Sequence, residues 1–202
     1  MLVTGSRLIG TPILSMQSAG PIGYIKDLIV DPDNLKTVAF HIAGPLVNGS
    51  ANVLDCKSIR EYSQFGCVID SIDELVEKDD IVKIGKIIDL NFNLVGLKVE
   101  TKKGSKLGKV SDYTLTAGDF IVQQLIVKRP IAKSLIDPEL TIPKSEIVEI
   151  TDYKIIVRDE EKTIKKKAET VEFIPNFVNP FRSSELSRSP AQTETPDEED
   201  TE

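Results

Sequence analysis

Short apolar runs of four to eight residues, each broken by turn-forming residues, recur through roughly the first 160 positions of the chain. This pattern predicts β-strands rather than amphipathic helices. In the first half, strands are expected over 12–16, 24–30, 35–42, 52–55 and 66–69. Asp31-Pro-Asp-Asn34 turns the chain between the second and third. Val38, Phe40 and Ile42 fall on one side of the third, as a half-buried strand requires. A short helical turn is expected over 57–60. In the second half the predicted strands are 94–100, 108–116, 120–128, 139–142 and 154–158, with turns at 101–106, 117–119 and 144–146. Between the halves, Ser71 and Glu74 stand at capping-box spacing and predict a short helix within a connector spanning 71–91.

The two halves repeat one order of features. Gly20-Pro-Ile-Gly23-Tyr-Ile-Lys-Asp27 in the first corresponds to Gly104-Ser-Lys-Leu-Gly108-Lys-Val-Ser-Asp112 in the second. Each has two nearby glycines and an Asp four residues after the second; glycine adopts positive φ at no steric cost, so the pattern suits a tight hairpin opening into a strand, with Gly23 and Gly108 in backbone conformations closed to other residues. Gly10 matches Gly96 at an offset of 86. Gly23, Asp27, Phe40 and Ile42 match Gly108, Asp112, Leu125 and Val127 at 85, and Leu54, Ile59, Phe65 and Ile69 match Ile142, Ile147, Tyr153 and Val157 at 88. Offsets that change only at predicted loops are expected of a duplicated β domain.

These motifs resemble the PRC-barrel family, small β-barrels found in the H subunit of photosynthetic reaction centres and in a bacterial ribosome-maturation factor. The resemblance rests on Ile9-Gly10 and Val95-Gly96, on the paired glycines with their following Asp, and on the closing runs Ser58-Ile-Arg-Glu-Tyr62…Gly66-Cys-Val-Ile69 and Lys144-Ser-Glu-Ile-Val-Glu-Ile150…Ile155-Ile-Val157. It covers about residues 1–160. It implies an all-β chain of two tandem small barrels, the first over 1–75 and the second over 92–160, joined by a connector over 76–91. It also implies a docking or assembly role without catalytic residues.

Charge changes the picture only at one end. The formal net charge is -7. Positions 183–202 hold seven acids against one base, which leaves the remaining chain nearly neutral. Nucleic acid is therefore not the expected partner. Their Ser, Pro and acid content predicts a disordered acidic tail. No apolar run reaches the roughly 18 residues that a membrane span needs, and no signal pattern opens the chain, so a cytoplasmic protein is expected.

Candidate chemistry is sparse. Cys56 and Cys67 are read as structural thiols. The single histidine, His41, is read as a half-exposed strand residue rather than a metal ligand. Asp27 and Asp112 form a possible carboxylate pair, but each is expected to accept backbone N–H bonds at a bend and so to belong with Gly23 and Gly108 to a structural turn. No catalytic, cofactor or metal site is expected, and the chain is read as a non-enzyme. Lys162 and Lys165–Lys167 form the basic cluster visible along the sequence, within a basic and aromatic extension at 161–182. In that extension Phe173, Phe177 and Phe181 recur every four residues while Pro175 and Pro180 forbid a clean helix, as a segment that either docks on its own chain or serves a partner. The function expected is protein–protein docking or assembly, with the partner's identity open. The alternatives are an RNA- or ribosome-associated processing factor and a peripheral membrane adaptor.

Overall fold

The structure, a computed structural model, describes residues 1–18, 20–47, 49–130 and 138–159. Its elements are almost all strands, in two mixed sheets. The first sheet contains β2 (Pro12–Ser15), β3 (Pro21–Asp31), β4 (Lys36–Ala43), β5 (Val53–Asp55), β6 (Glu61–Ser63), β7 (Gly66–Ile69) and β8 (Leu75–Val76), ordered β6-β7-β2-β3-β4-β5-β8. The second contains β9 (Lys98–Thr101), β10 (Lys106–Thr116), β11 (Val122–Lys128), β12 (Glu139–Pro143), β13 (Ile147–Ile150) and β14 (Lys154–Val157), ordered β12-β11-β10-β9-β14-β13. Strand β1 (Leu2–Thr4) pairs with β10 in this second sheet. Helices α1 (Gly5–Leu8) and α2 (Val82–Asp89) complete the element list, with three short 3-10 turns.

The sheets share their pairing register residue for residue. Ile25↔Ile42, Asp27↔His41 and Leu28↔Phe40 in the first correspond to Val110↔Val127, Asp112↔Ile126 and Tyr113↔Leu125 in the second. The bulges fall at equivalent places, between Ile25 and Asp27 and between Val110 and Asp112. Even the parallel pairs agree, with Ile13↔Cys67 matching Val99↔Ile155. A slip of one residue would turn every side chain to the wrong face, so the shared apolar alternation holds both sheets to the same register.

The halves are interlocked. Strand β1, which lies ahead of the first strand expected at 12–16, adds to the second sheet through Leu2↔Thr116, Val3↔Leu115 and Thr4↔Thr114. The β3–β4 and β10–β11 hairpins then meet tip to tip at equivalent positions. Thr37 N–H donates to the Phe120 carbonyl and Val122 N–H to the Leu35 carbonyl, both at 2.9 Å. Lys36 and Ile121 bridge between them. Leu35 and Phe120 both stand at positive φ, 55° and 54°, which costs a bulky residue energy. Reciprocal hydrogen bonding and burial hold them there, Leu35 at 3% exposure and Phe120 at 1%. Phe120 meets Phe40 edge to face at 5.3 Å and Tyr62 at 6.2 Å, so a side chain from the second sheet's hairpin closes on aromatics of the first. One hydrophobic core runs through both sheets, with Leu8, Ile13, Phe40 and Ile69 alongside Val99, Leu115, Leu125 and Ile155.

Three expectations need correction. Among the described residues neither sheet closes on itself: each is an open path whose end strands do not pair, not a closed barrel. The Ser71–Glu74 signal makes a 3-10 turn over Ile72–Glu74, in which the Ser71 hydroxyl accepts from Asp73 N–H and Glu74 accepts from Asp70 N–H. It cannot extend as a helix, because Leu75 and Val76 immediately pair with Leu54 and Val53. The helix of the connector is α2 instead. Its Ile84 and Ile87 are buried with Ile29, Ala39 and Val53 in a second, smaller cluster on the first sheet. Finally, Gly23 does not have positive φ, whereas Gly108 does, at 150°. What Gly23 supplies is close approach: a Cβ there would come within 2.7 Å of Ile42 Cγ2 and 3.0 Å of the Ala43 carbonyl. The basic cluster at 162–167, the phenylalanine segment and the acidic stretch lie outside the described residues.

Candidate functional site

Several polar side chains converge where the halves meet. The bulges of β3 and β10 bring Asp27 and Asp112 to one cleft of about 320 Å³, together with His41, Ser6 and Tyr113. Position 27 is seated by its pairing with His41, and position 112 by its pairing with Ile126. A volume of this order takes one or two side chains or a small ligand.

The two carboxylates do equivalent local work. Asp27 Oδ1 accepts from Leu28 N–H and Asp112 Oδ1 from Tyr113 N–H, each at 2.8 Å, so each ties down the residue that follows its bulge. Their remaining partners differ. Asp112 also accepts from Ser6 N–H at 3.2 Å and from the Ser6 hydroxyl at 2.5 Å, which pins α1 and the incoming β1 to the second sheet. Asp27 is exposed. Tyr113 is buried beneath them. Burial first, and then the Asp112 and Asp27 carboxylates, push its phenol well above the ordinary range and keep it protonated. The rim is mixed: Ile9 and Val95, at equivalent positions, are 53% and 43% exposed, and the exposed polar Asn91, Asn93 and Ser111 line the same cleft.

The sequence marks Asp27, Asp112 and His41 one by one, and the structure gathers them. Ser6 and Tyr113 were missed. Their only signal is position, since Ser6 reaches Asp112 through the exchange of β1, which no local pattern shows. The thiols are elsewhere: Cys56 and Cys67 are both free and buried. Burial pushes Cys67 up to about 12 and, with Asp55, raises Cys56 as well, so both stay protonated near neutrality. Among the described residues no three His, Cys, Asp or Glu side chains gather to hold a metal ion, and no helix is long and apolar enough to cross a membrane. No family model matches the chain, and no curated protein matches it.

Proposed function

We propose that this chain is a non-catalytic docking or assembly module of tandem PRC-barrel-like architecture, and that a protein partner seats a basic side chain in the cleft between its halves. The observation that carries this reading is the division of labour among the cleft's polar groups. Asp112 is spent on Ser6 and on its own strand. Tyr113 is held protonated, and the Ser6 hydroxyl donates to a carboxylate already engaged by two backbone N–H groups rather than to an imidazole or amine that would activate it. What faces outward is one exposed carboxylate, Asp27, in a cleft whose mixed rim includes the apolar Ile9 and Val95. This arrangement suits recognition of a cation on an aliphatic stem better than bond making.

The test places a photo-crosslinking residue at Ile9 or Val95 of the full chain, expressed in its host cell, with an exposed site remote from the cleft as control. A discrete adduct formed from the rim, absent from the control and lost when Asp27→Lys is added, is the expected result. Adducts no different from the control would refute the reading.

A further inference from the structure

Sheet register assembles a basic surface that the linear sequence scatters over 57 positions. Lys154 lies beside Lys98, Lys98 beside Lys109, and Lys109 beside Lys128, each as a direct cross-strand partner. Direct partners share a face, so four lysines form one row across β14, β9, β10 and β11. Strands lie about 4.8 Å apart, which makes this row roughly 14 Å long. Lys106 and Arg129 join Lys98, Lys109 and Lys128, with Glu100, around a groove of about 620 Å³, which among the described residues shares no lining residue with the cleft. Among the described residues two acids offset the row. Glu139 pairs with Lys128, and Glu100 lies 3.8 Å from Lys154.

Like charges set directly opposite one another destabilise a sheet. The fold does not require them, because the first sheet carries the same row without charge: Pro12, Tyr24 and Ala43 stand where the second has Lys98, Lys109 and Lys128. Lys106 and Arg129 likewise correspond to Pro21 and Gly44 at the offset of 85. The same backbone in one molecule thus serves as an internal control, and the charge on the second sheet calls for a counter-charge from outside it.

We propose that the lysine row is a docking surface for an acidic polypeptide segment, and that its occupant is the acid run at 194–202 of the same chain. That run places six carboxylates in nine residues. The polypeptide leaves the second sheet at Asp159, held by Lys103 N–H at 3.1 Å, about five residues along the strand direction from the row. Some 35 intervening residues span far more than the required distance, since an extended chain covers about 3.3–3.6 Å per residue. Tethering also gives the run a high local concentration. Acidic peptide is favoured over single-stranded nucleic acid because, among the described residues, no aromatic side chain lines the groove to stack a base.

Carbodiimide coupling of the full chain at low salt tests this, since it joins only carboxylates and amines in contact. The expected result is cross-links from Lys98, Lys109 or Lys128 to acids within 194–202, in the monomer fraction and lost at 0.5 M salt, where screening shortens to about a few ångströms. Cross-links spread evenly over other lysines, or confined to a dimer fraction, would overturn the proposal. A second measurement uses full chains in which the six acids of 194–202 are changed to their amides. A fluorescent polyglutamate peptide should bind these about tenfold tighter than the unaltered chain, with the gain removed by Lys98→Gln, Lys109→Gln and Lys128→Gln. Equal binding to both would overturn it. So would a 20-nucleotide RNA or phosphatidylserine vesicles binding the unaltered chain through these lysines as tightly as the amide variant.

Discussion

Phe120→Ala tests the interlocking of the halves most directly. Phe120 belongs by sequence to the second half, yet its ring is 1% exposed and stands edge to face against Phe40, with Tyr62 beyond. Truncating a buried phenylalanine costs about 3–5 kcal/mol, within which each aromatic pairing accounts for about 0.5–1.5 kcal/mol. Against a total stability of about 5–15 kcal/mol this is a large fraction. At about 2–4 °C per kcal/mol for a chain of this size, the melting temperature should fall by roughly 6–20 °C. Because one core runs through both sheets, unfolding followed by far-ultraviolet circular dichroism should remain a single transition. Amide exchange should lose protection in β4 and β7 as much as in β10 and β11. A second variant separates ring from backbone. At φ 54° alanine remains strained while glycine does not, so Phe120→Gly should be at least as stable as Phe120→Ala, the reverse of the usual order in a sheet. Two resolved transitions, with only one shifted by the substitution, would refute the shared core. A glycine variant clearly weaker than the alanine one would refute the strain.

Gly108→Val should destabilise by about 1–3 kcal/mol, since a Cβ there would lie 2.1 Å from the Lys128 carbonyl and φ is 150°; an unchanged denaturation midpoint would contradict the close approach. Stability should also fall on the alkaline side. A thiol at about 12 in the folded chain and about 8.5 in the unfolded one is protonated in both states below the lower value. Between the two, only the unfolded chain releases its proton, so stability declines by about 1.4 kcal/mol per pH unit. Cys67→Ala should make the dependence of melting temperature on pH shallower between pH 9 and 11, and an identical slope would show that the thiol is not the titrating group.

Much of the fold was legible because strand identity and register are local. The alternation around Phe40 and Leu125, the turn at 31–34, and the constant offset of Gly23 and Asp27 from Gly108 and Asp112 all survive into the pairings. What was not legible is non-local. Nothing in Leu2–Thr4 says which sheet its backbone will join, because any exposed strand edge offers the same donors and acceptors. Leu35 and Phe120 look like ordinary strand openings, and their left-handed backbone exists only because each has the other's hairpin to lean on. Helix α2 did leave a trace in the spacing of Ile81, Ile84, Ile87 and Ile88, interrupted by Gly85, a poor helix former. The cleft was half legible, as two aspartates and a histidine without the geometry that joins them. The lysine row was invisible, since its members become neighbours only after four strands are in register.

The tip-to-tip meeting of the hairpins is an isologous contact, with residue 35 touching 122 as 120 touches 37. Two separate copies of one half would satisfy such a contact equally well, but every substitution would then appear on both sides of the axis. Carried on a single polypeptide, the axis relates backbones without binding side chains to match. A lysine can replace an alanine on one side and leave its counterpart neutral, and a serine can bond one aspartate while the other stays open. Covalent continuity thereby converts a symmetric scaffold into a molecule with a front and a back.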